Sequence, residues 1–114
     1  MVDMELEKQM RGPVTVIALN GELDSTTAPR VQQGLDELVP VHGMVLLDLS
    51  RTTYMSSAGL RVLLLVYRLC QQMGTRVMVS GLSEEVRAVM AATGFLAFFS
   101  VAGSVDEGVE VLAA

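Results

Sequence analysis

Asp48-Leu-Ser-Arg-Thr-Thr-Tyr-Met-Ser-Ser-Ala-Gly-Leu-Arg-Val-Leu-Leu-Leu65 is the stretch on which the reading of this chain turns. It runs from the end of an apolar strand through a polar loop to two serines, Ser56 and Ser57, that open a helix. The first N–H groups of a helix have no partner within it and lie at the positive end of the dipole. A serine there can cap the helix, carry a phosphate, or do both. The helix is predicted from about Ser57 to Met73, with Gly74 supplying the left-handed stop.

Outward from this stretch the chain alternates strands and amphipathic helices. Met44 to Leu49 is a near-continuous apolar run, the mark of a central strand covered on both faces. Upstream, Val2, Met4 and Leu6 alternate with polar residues, Arg11-Gly12-Pro13 marks a turn, and Val14 to Leu19 forms the second strand of an antiparallel pair. Asp24, Ser25 and Thr26 offer capping oxygens to a first helix, in which Pro29 suits the opening turn and Ala28, Val31, Leu35 and Leu38 form the apolar stripe. Downstream, Val77 to Val79 is a strand. Ser83, Glu84 and Glu85 start a third helix that turns Val86, Val89 and Met90 inward and stops at Gly94. Phe98 to Val101 reads as a short edge strand. Ser104-Val-Asp-Glu107 has the spacing of a capping box, before a last helix with Val105, Val109 and Leu112 inward. The predicted class is α/β, in the order ββαβαβαβα, with a mixed sheet of about five strands and about four helices. Its crossovers are right-handed and its central strands parallel.

Composition narrows the function. The 114 residues suit one domain, 1–114, with a single core. A hydrophobic share of 51% against 18% charged residues predicts a compact fold. The longest apolar run, Val62 to Tyr67, is too short for a bilayer, so no membrane partner is expected. The N-terminus lacks a basic segment followed by an apolar one, and the single cysteine, Cys70, has no disulfide partner, which together point to the cytoplasm. A net charge of −5 and a pI near 4.7 exclude the basic footprint of a nucleic-acid binder, leaving protein as the expected partner. There is no Gly-rich phosphate loop, no metal-ligand spacing and no nucleophile with a base, so no enzyme is expected. His42 reads as an exposed loop residue and Cys70 as a small apolar residue of the core.

Gly21-Glu-Leu-Asp24, Leu47-Asp-Leu-Ser50 and Tyr54-Met-Ser-Ser-Ala-Gly-Leu60 resemble, in order and spacing, the STAS family of anti-sigma-factor antagonists, over about Val14 to Leu112. The resemblance implies a partner switch. An unphosphorylated antagonist binds an anti-sigma factor, itself a serine kinase of the GHKL type, and frees sigma. Phosphorylation of one serine breaks the complex, and a PP2C-type phosphatase resets it. Nucleotide and magnesium belong to the kinase, and no cofactor is implied for this chain. The resemblance places the phosphoacceptor at Ser57, two residues before Gly59. This chain departs from the family in carrying Ser56 where an acid is common and Ala58 where others have Ser or Thr, which leaves Ser56 as the alternate acceptor. STAS modules also serve as scaffolds and as accessory subunits of transport complexes, and a non-switching module of that kind is the alternative.

The residues add their own account of the partner surface. A phosphate at the start of a helix adds about −1.5 to −2 charges where the dipole tolerates them, so the domain stays folded and the disruption falls on the interface. Plotted at 100° per residue, Arg61, Arg68 and Gln72 form a narrow polar stripe containing Leu65, which is therefore expected to be exposed as an apolar centre with a charged rim. Asp24 reads as a turn carboxylate; the resemblance, in which the matching acid borders the phosphoacceptor loop, implies a kinase contact instead, with Asp24, Ser25 and Thr26 as a second strip beside Ser56, Ser57, Ala58 and Gly59. Asp48 either ties down loop N–H groups or meets a partner or a phosphatase metal.

Overall fold

The computed structural model describes residues 4–114; Val2, read as part of the first strand, lies outside them. Strand β1 (Met4–Arg11) reverses at Gly12 and Pro13 into β2 (Val14–Leu23), antiparallel from Met4↔Gly21 to Arg11↔Val14. The apolar run forms β3 (Met44–Asp48), parallel to β2 on one side and to β5 (Arg76–Ser80) on the other. Strand β6 (Ser100–Ala102) pairs with β5, giving the order β1-β2-β3-β5-β6.

The strand's near-continuous hydrophobicity follows from burial on both sides. Val45 and Leu47 join the larger core under α1 (Ala28–Leu38), α2 (Ser57–Met73) and α3 (Glu84–Ala92). Leu46 points the other way, into a smaller core closed by Leu112 of α4 (Val105–Ala113). Helix α2 spans the predicted residues and ends on Gly74 at φ 65, where a left-handed backbone suits glycine.

Beyond β2, which runs past its expected end at Leu19 to Leu23, two segments differ from the sequence reading. Thr52–Met55, expected as loop, is a sixth strand, β4, which pairs in parallel with the far end of β2 at Glu22↔Tyr54 and Leu23↔Met55. Strand β2 has ten residues against five in β3, so it outruns its neighbour and leaves an edge that β4 completes. The register shifts at Gly21, whose φ of 131 only glycine adopts readily, and the Thr52 hydroxyl donates to the Leu19 carbonyl at 2.7 Å beneath the shift. The second difference is at Phe98–Val101. Phe95–Phe98 is a 3₁₀ turn, and the strand begins only at Ser100. Phe98 and Phe99 fold back on Tyr67 of α2 with ring centroids 5.6 and 5.5 Å away, and this packing replaces extended pairing there.

Candidate functional site

The far end of β2, the β4 strand and the start of α2 meet at one corner of the larger core. Pairing of Leu23 with Met55 sets the chain after each strand side by side, and the Ser56 N–H donates to the Leu23 carbonyl at 3.0 Å. Gly59 makes the approach possible: a Cβ there would lie 2.5 Å from the Leu23 oxygen. The glycine of the Ser-Ala-Gly run and the leucine of the Gly-Glu-Leu-Asp run are therefore two halves of one contact.

The two serines have different jobs. Ser56 is the N-cap, half-buried, with its Oγ accepting from the Gly59 N–H at 3.4 Å and its carbonyl accepting from the Leu60 N–H at 3.0 Å. Ser57 is the first helical residue. It is exposed, and among the described residues its hydroxyl has no hydrogen-bond partner.

Asp24 enters the same corner as a turn carboxylate. Its Oδ1 accepts from the N–H groups of Thr26 at 2.9 Å and Thr27 at 3.1 Å. The buried Thr27 hydroxyl accepts from the Asp24 N–H at 3.1 Å and donates to the Glu22 carbonyl at 2.7 Å. This corrects the expected capping set. Helix α1 starts after Thr27, later than Ser25 and Thr26 can reach, so those two side chains stay exposed on the turn, which the Asp24 carboxylate and the Thr27 hydroxyl tie down.

Beside the serines, α1 and α2 leave a shallow groove of about 230 Å³ between Ala28, Pro29, Gln32, Ala58, Val62 and Leu65, with Arg61 as its charged group. Leu65 is thus half-buried rather than exposed, because α1 crosses the stripe there, while Arg61, Arg68 and Gln72 are exposed as expected. Ala58, Arg61 and Leu65 gather at this groove. Arg68 stands eleven residues after Ser57, about 16 Å along the helix, and does not line it.

Other candidates lie elsewhere. Asp48 accepts from the Ser50 N–H at 3.0 Å, the loop-tying role, and lines a polar concavity of about 270 Å³ with Glu7, Asn20 and Arg51. It shares a face of β3 with Leu46, so it lies across the sheet from the groove. His42 is exposed in the loop before β3. Burial pushes the Cys70 thiol up from 9.0 to about 11, which makes it unreactive packing. Among the described residues no three His, Cys, Asp or Glu side chains cluster as a metal set, and no helix is long and apolar enough to cross a membrane.

One surface residue escaped the sequence reading. Tyr54 on β4 is 51% exposed, two residues before Ser56, beside a small apolar hollow made with Met55, Val86 and Val89. An aromatic side chain held out on a short strand next to the serines was the available signal, hidden because the segment read as loop.

Known proteins are similar to this chain in sequence and in fold. A family model described as the STAS domain matches residues 5–108. A Bordetella bronchiseptica protein described as a candidate anti-sigma factor antagonist, BtrV, is 35% identical over 102 residues, covering 89% of this chain and 88% of that one. The anti-sigma-B factor antagonist of Listeria monocytogenes is 33% identical over 79 residues, covering 68% of this chain and 69% of its own. Among solved structures, an anti-sigma factor antagonist from Mycobacterium paratuberculosis superposes with a TM-score of 0.88 at 21% identity, covering 97% of this chain and 95% of that one.

Proposed function

The chain belongs to the STAS domain family, and from that membership we propose that it is a cytoplasmic anti-sigma factor antagonist worked by phosphorylation. In this reading the unphosphorylated chain binds an anti-sigma factor that is also a GHKL-type serine kinase, and sigma is released. The kinase then modifies Ser57 and the complex falls apart; a PP2C-type phosphatase restores it. The relatives named as antagonists of anti-sigma factors support the partner.

The single observation that carries the assignment of Ser57 is its free, exposed hydroxyl at the first position of α2, next to a Ser56 hydroxyl engaged in capping. In the transfer, the bond from the γ-phosphorus of ATP to its bridging oxygen breaks and one to Ser57 Oγ forms. ADP leaves, and the hydroxyl proton passes to the kinase. The surface that meets the partner is the Asp24-Ser25-Thr26 turn, Ser56 to Gly59, and Arg61, Leu65 and Arg68 along α2, with Tyr54 at its margin. A dianion desolvated in the middle of that surface costs about 3 kcal/mol or more, enough to weaken binding over a hundredfold.

Phosphosite mapping by mass spectrometry tests the assignment, after incubation with the GHKL-type kinase of the same genome, ATP and magnesium. Phosphate is expected on Ser57 in the wild type and in Ser56→Ala, and absent in Ser57→Ala. Modification of Ser56 instead, or none at any kinase concentration, overturns it.

A further inference from the structure

We propose that Arg61 is the internal counter-ion of a phosphate on Ser57, and that its capture takes the guanidinium away from the groove between α1 and α2. The inference rests on Ser57 being the acceptor and concerns how the added charge is felt.

Ser57 and Arg61 are both exposed and four residues apart on α2, so they sit one above the other on the same side of the helix. An acid one turn before a base is the favourable order for such a pair. Arg61 is available: among the described residues the ion pair present is Arg11 with Asp106, on β1 and α4, and no hydrogen bond engages the Arg61 side chain. No acid in the first turn of α2 competes with the phosphate. Arg68 shares the stripe but lies about 16 Å further along, beyond reach.

Arg61 is also the charged group of a largely apolar groove, lined by Ala58, Val62 and Leu65 with Gln32 as its other polar side chain. Unmodified, the groove offers a partner an apolar slot with one positive charge at the rim, suited to an apolar side chain beside a carboxylate. Once Ser57 carries a phosphate of about −2 charges and Arg61 turns to it, that rim changes sign to about −1. One modification thus removes an attraction and adds a repulsion at the same spot, while leaving the helix in place.

The test needs neither partner nor kinase. Phosphoserine is installed at position 57 by genetic encoding, and the second ionisation of its phosphate is followed by ³¹P NMR. The midpoint in the wild-type chain is expected about 0.3 pH units below that of Arg61→Gln, with Arg61→Lys keeping most of the difference and Arg68→Gln matching wild type. The Arg61 side-chain N–H resonance should move on phosphorylation in the wild type, and the midpoint difference should shrink in about 1 M salt. Equal midpoints in wild type and Arg61→Gln, with an unmoved Arg61 resonance, overturn the proposal. Because the phosphate is encoded, that outcome leaves Ser57 as the acceptor untouched, whereas failure of the acceptor assignment appears only in the kinase mapping.

Discussion

Helices α2, α3 and α4 each start on a serine whose hydroxyl accepts a backbone N–H three residues on: Ser56 from Gly59, Ser83 from Val86, Ser104 from Glu107. In α3 the next two residues are Glu84 and Glu85, and α4 carries Asp106 and Glu107 in its first turn, with the Glu107 carboxylate also accepting from the Gly103 N–H at 3.2 Å. Their positive ends are answered by fixed carboxylates. Helix α2 has none, and its cap bond is 3.4 Å against 3.1 Å in the other two. The difference teaches where charge can enter this fold. Two helix starts are finished by a serine cap and carboxylates, whereas the third has a longer serine cap and no carboxylate, is held by a backbone contact as well, and presents an unoccupied hydroxyl.

The largest expected effect tests that backbone contact. Gly59→Ala drives a Cβ against the Leu23 carbonyl and should cost about 3 kcal/mol in urea unfolding, because neither backbone can yield cheaply. Gly108→Ala in α4 meets instead side-chain atoms, both methyls of the buried Leu46 and the Ala102 Cβ, which can shift more readily than backbone, and should cost about 1–2 kcal/mol. Equal losses would erase the distinction between the two helix starts. Next come changes to the surface around Ser57. Tyr54→Ala and Leu65→Lys should each weaken binding to the proposed anti-sigma factor partner about tenfold, roughly 1.4 kcal/mol, measured by calorimetry. Val111→Ala on α4, at 48% exposure, should leave it unchanged.

Cap deletion comes third. Ser83→Ala and Ser104→Ala should each lose about 1 kcal/mol of stability, while Ser57→Ala, which removes no hydrogen bond, should change the unfolding midpoint hardly at all. Ser57→Asp supplies the carboxylate that α2 lacks and should gain about 0.5 kcal/mol at low salt, fading as salt rises. A lost circular-dichroism melting transition in that variant would move the effect of phosphorylation from the interface to the fold. The last prediction concerns the far end of α2. The folded Cys70 thiol ionises near 11 and the unfolded one near 9.0, so the unfolded state sheds its proton first as pH rises. Stability from this group is whole below pH 9 and declines toward 11, and Cys70→Ala should flatten that part of the pH profile.

Much of this was legible in the sequence, and the misses have physical causes. Strand β3 announced itself because burial on both faces demands apolar residues without a break. Helix α2 was bounded correctly because serine and Gly74 have distinct backbone preferences at its two ends. Strand β4 was hidden because Thr52 and Met55 face inward and Thr53 and Tyr54 outward, which is no period-two pattern, and because its pairing depends on a bulge at Gly21. Asp24 could not be separated from Ser25 and Thr26 as the turn ligand without knowing that α1 begins at Ala28. Leu65 was misplaced because a helical projection gives an angle but not the neighbour, and α1 lies at that angle. The nearness of Asp24 to Ser56 and Ser57 is a property of the strand pairing, which no local motif contains.

The most direct test is calorimetric titration of the proposed partner, a GHKL-type kinase sought in the same genome, with two forms of the chain, unmodified and carrying encoded phosphoserine at 57, alongside their melting curves. The account predicts over a hundredfold weaker binding by the phosphorylated form, with both forms melting cooperatively within a few degrees of each other. Equal affinity of the two forms, or weak binding accompanied by loss of the melting transition, would contradict it.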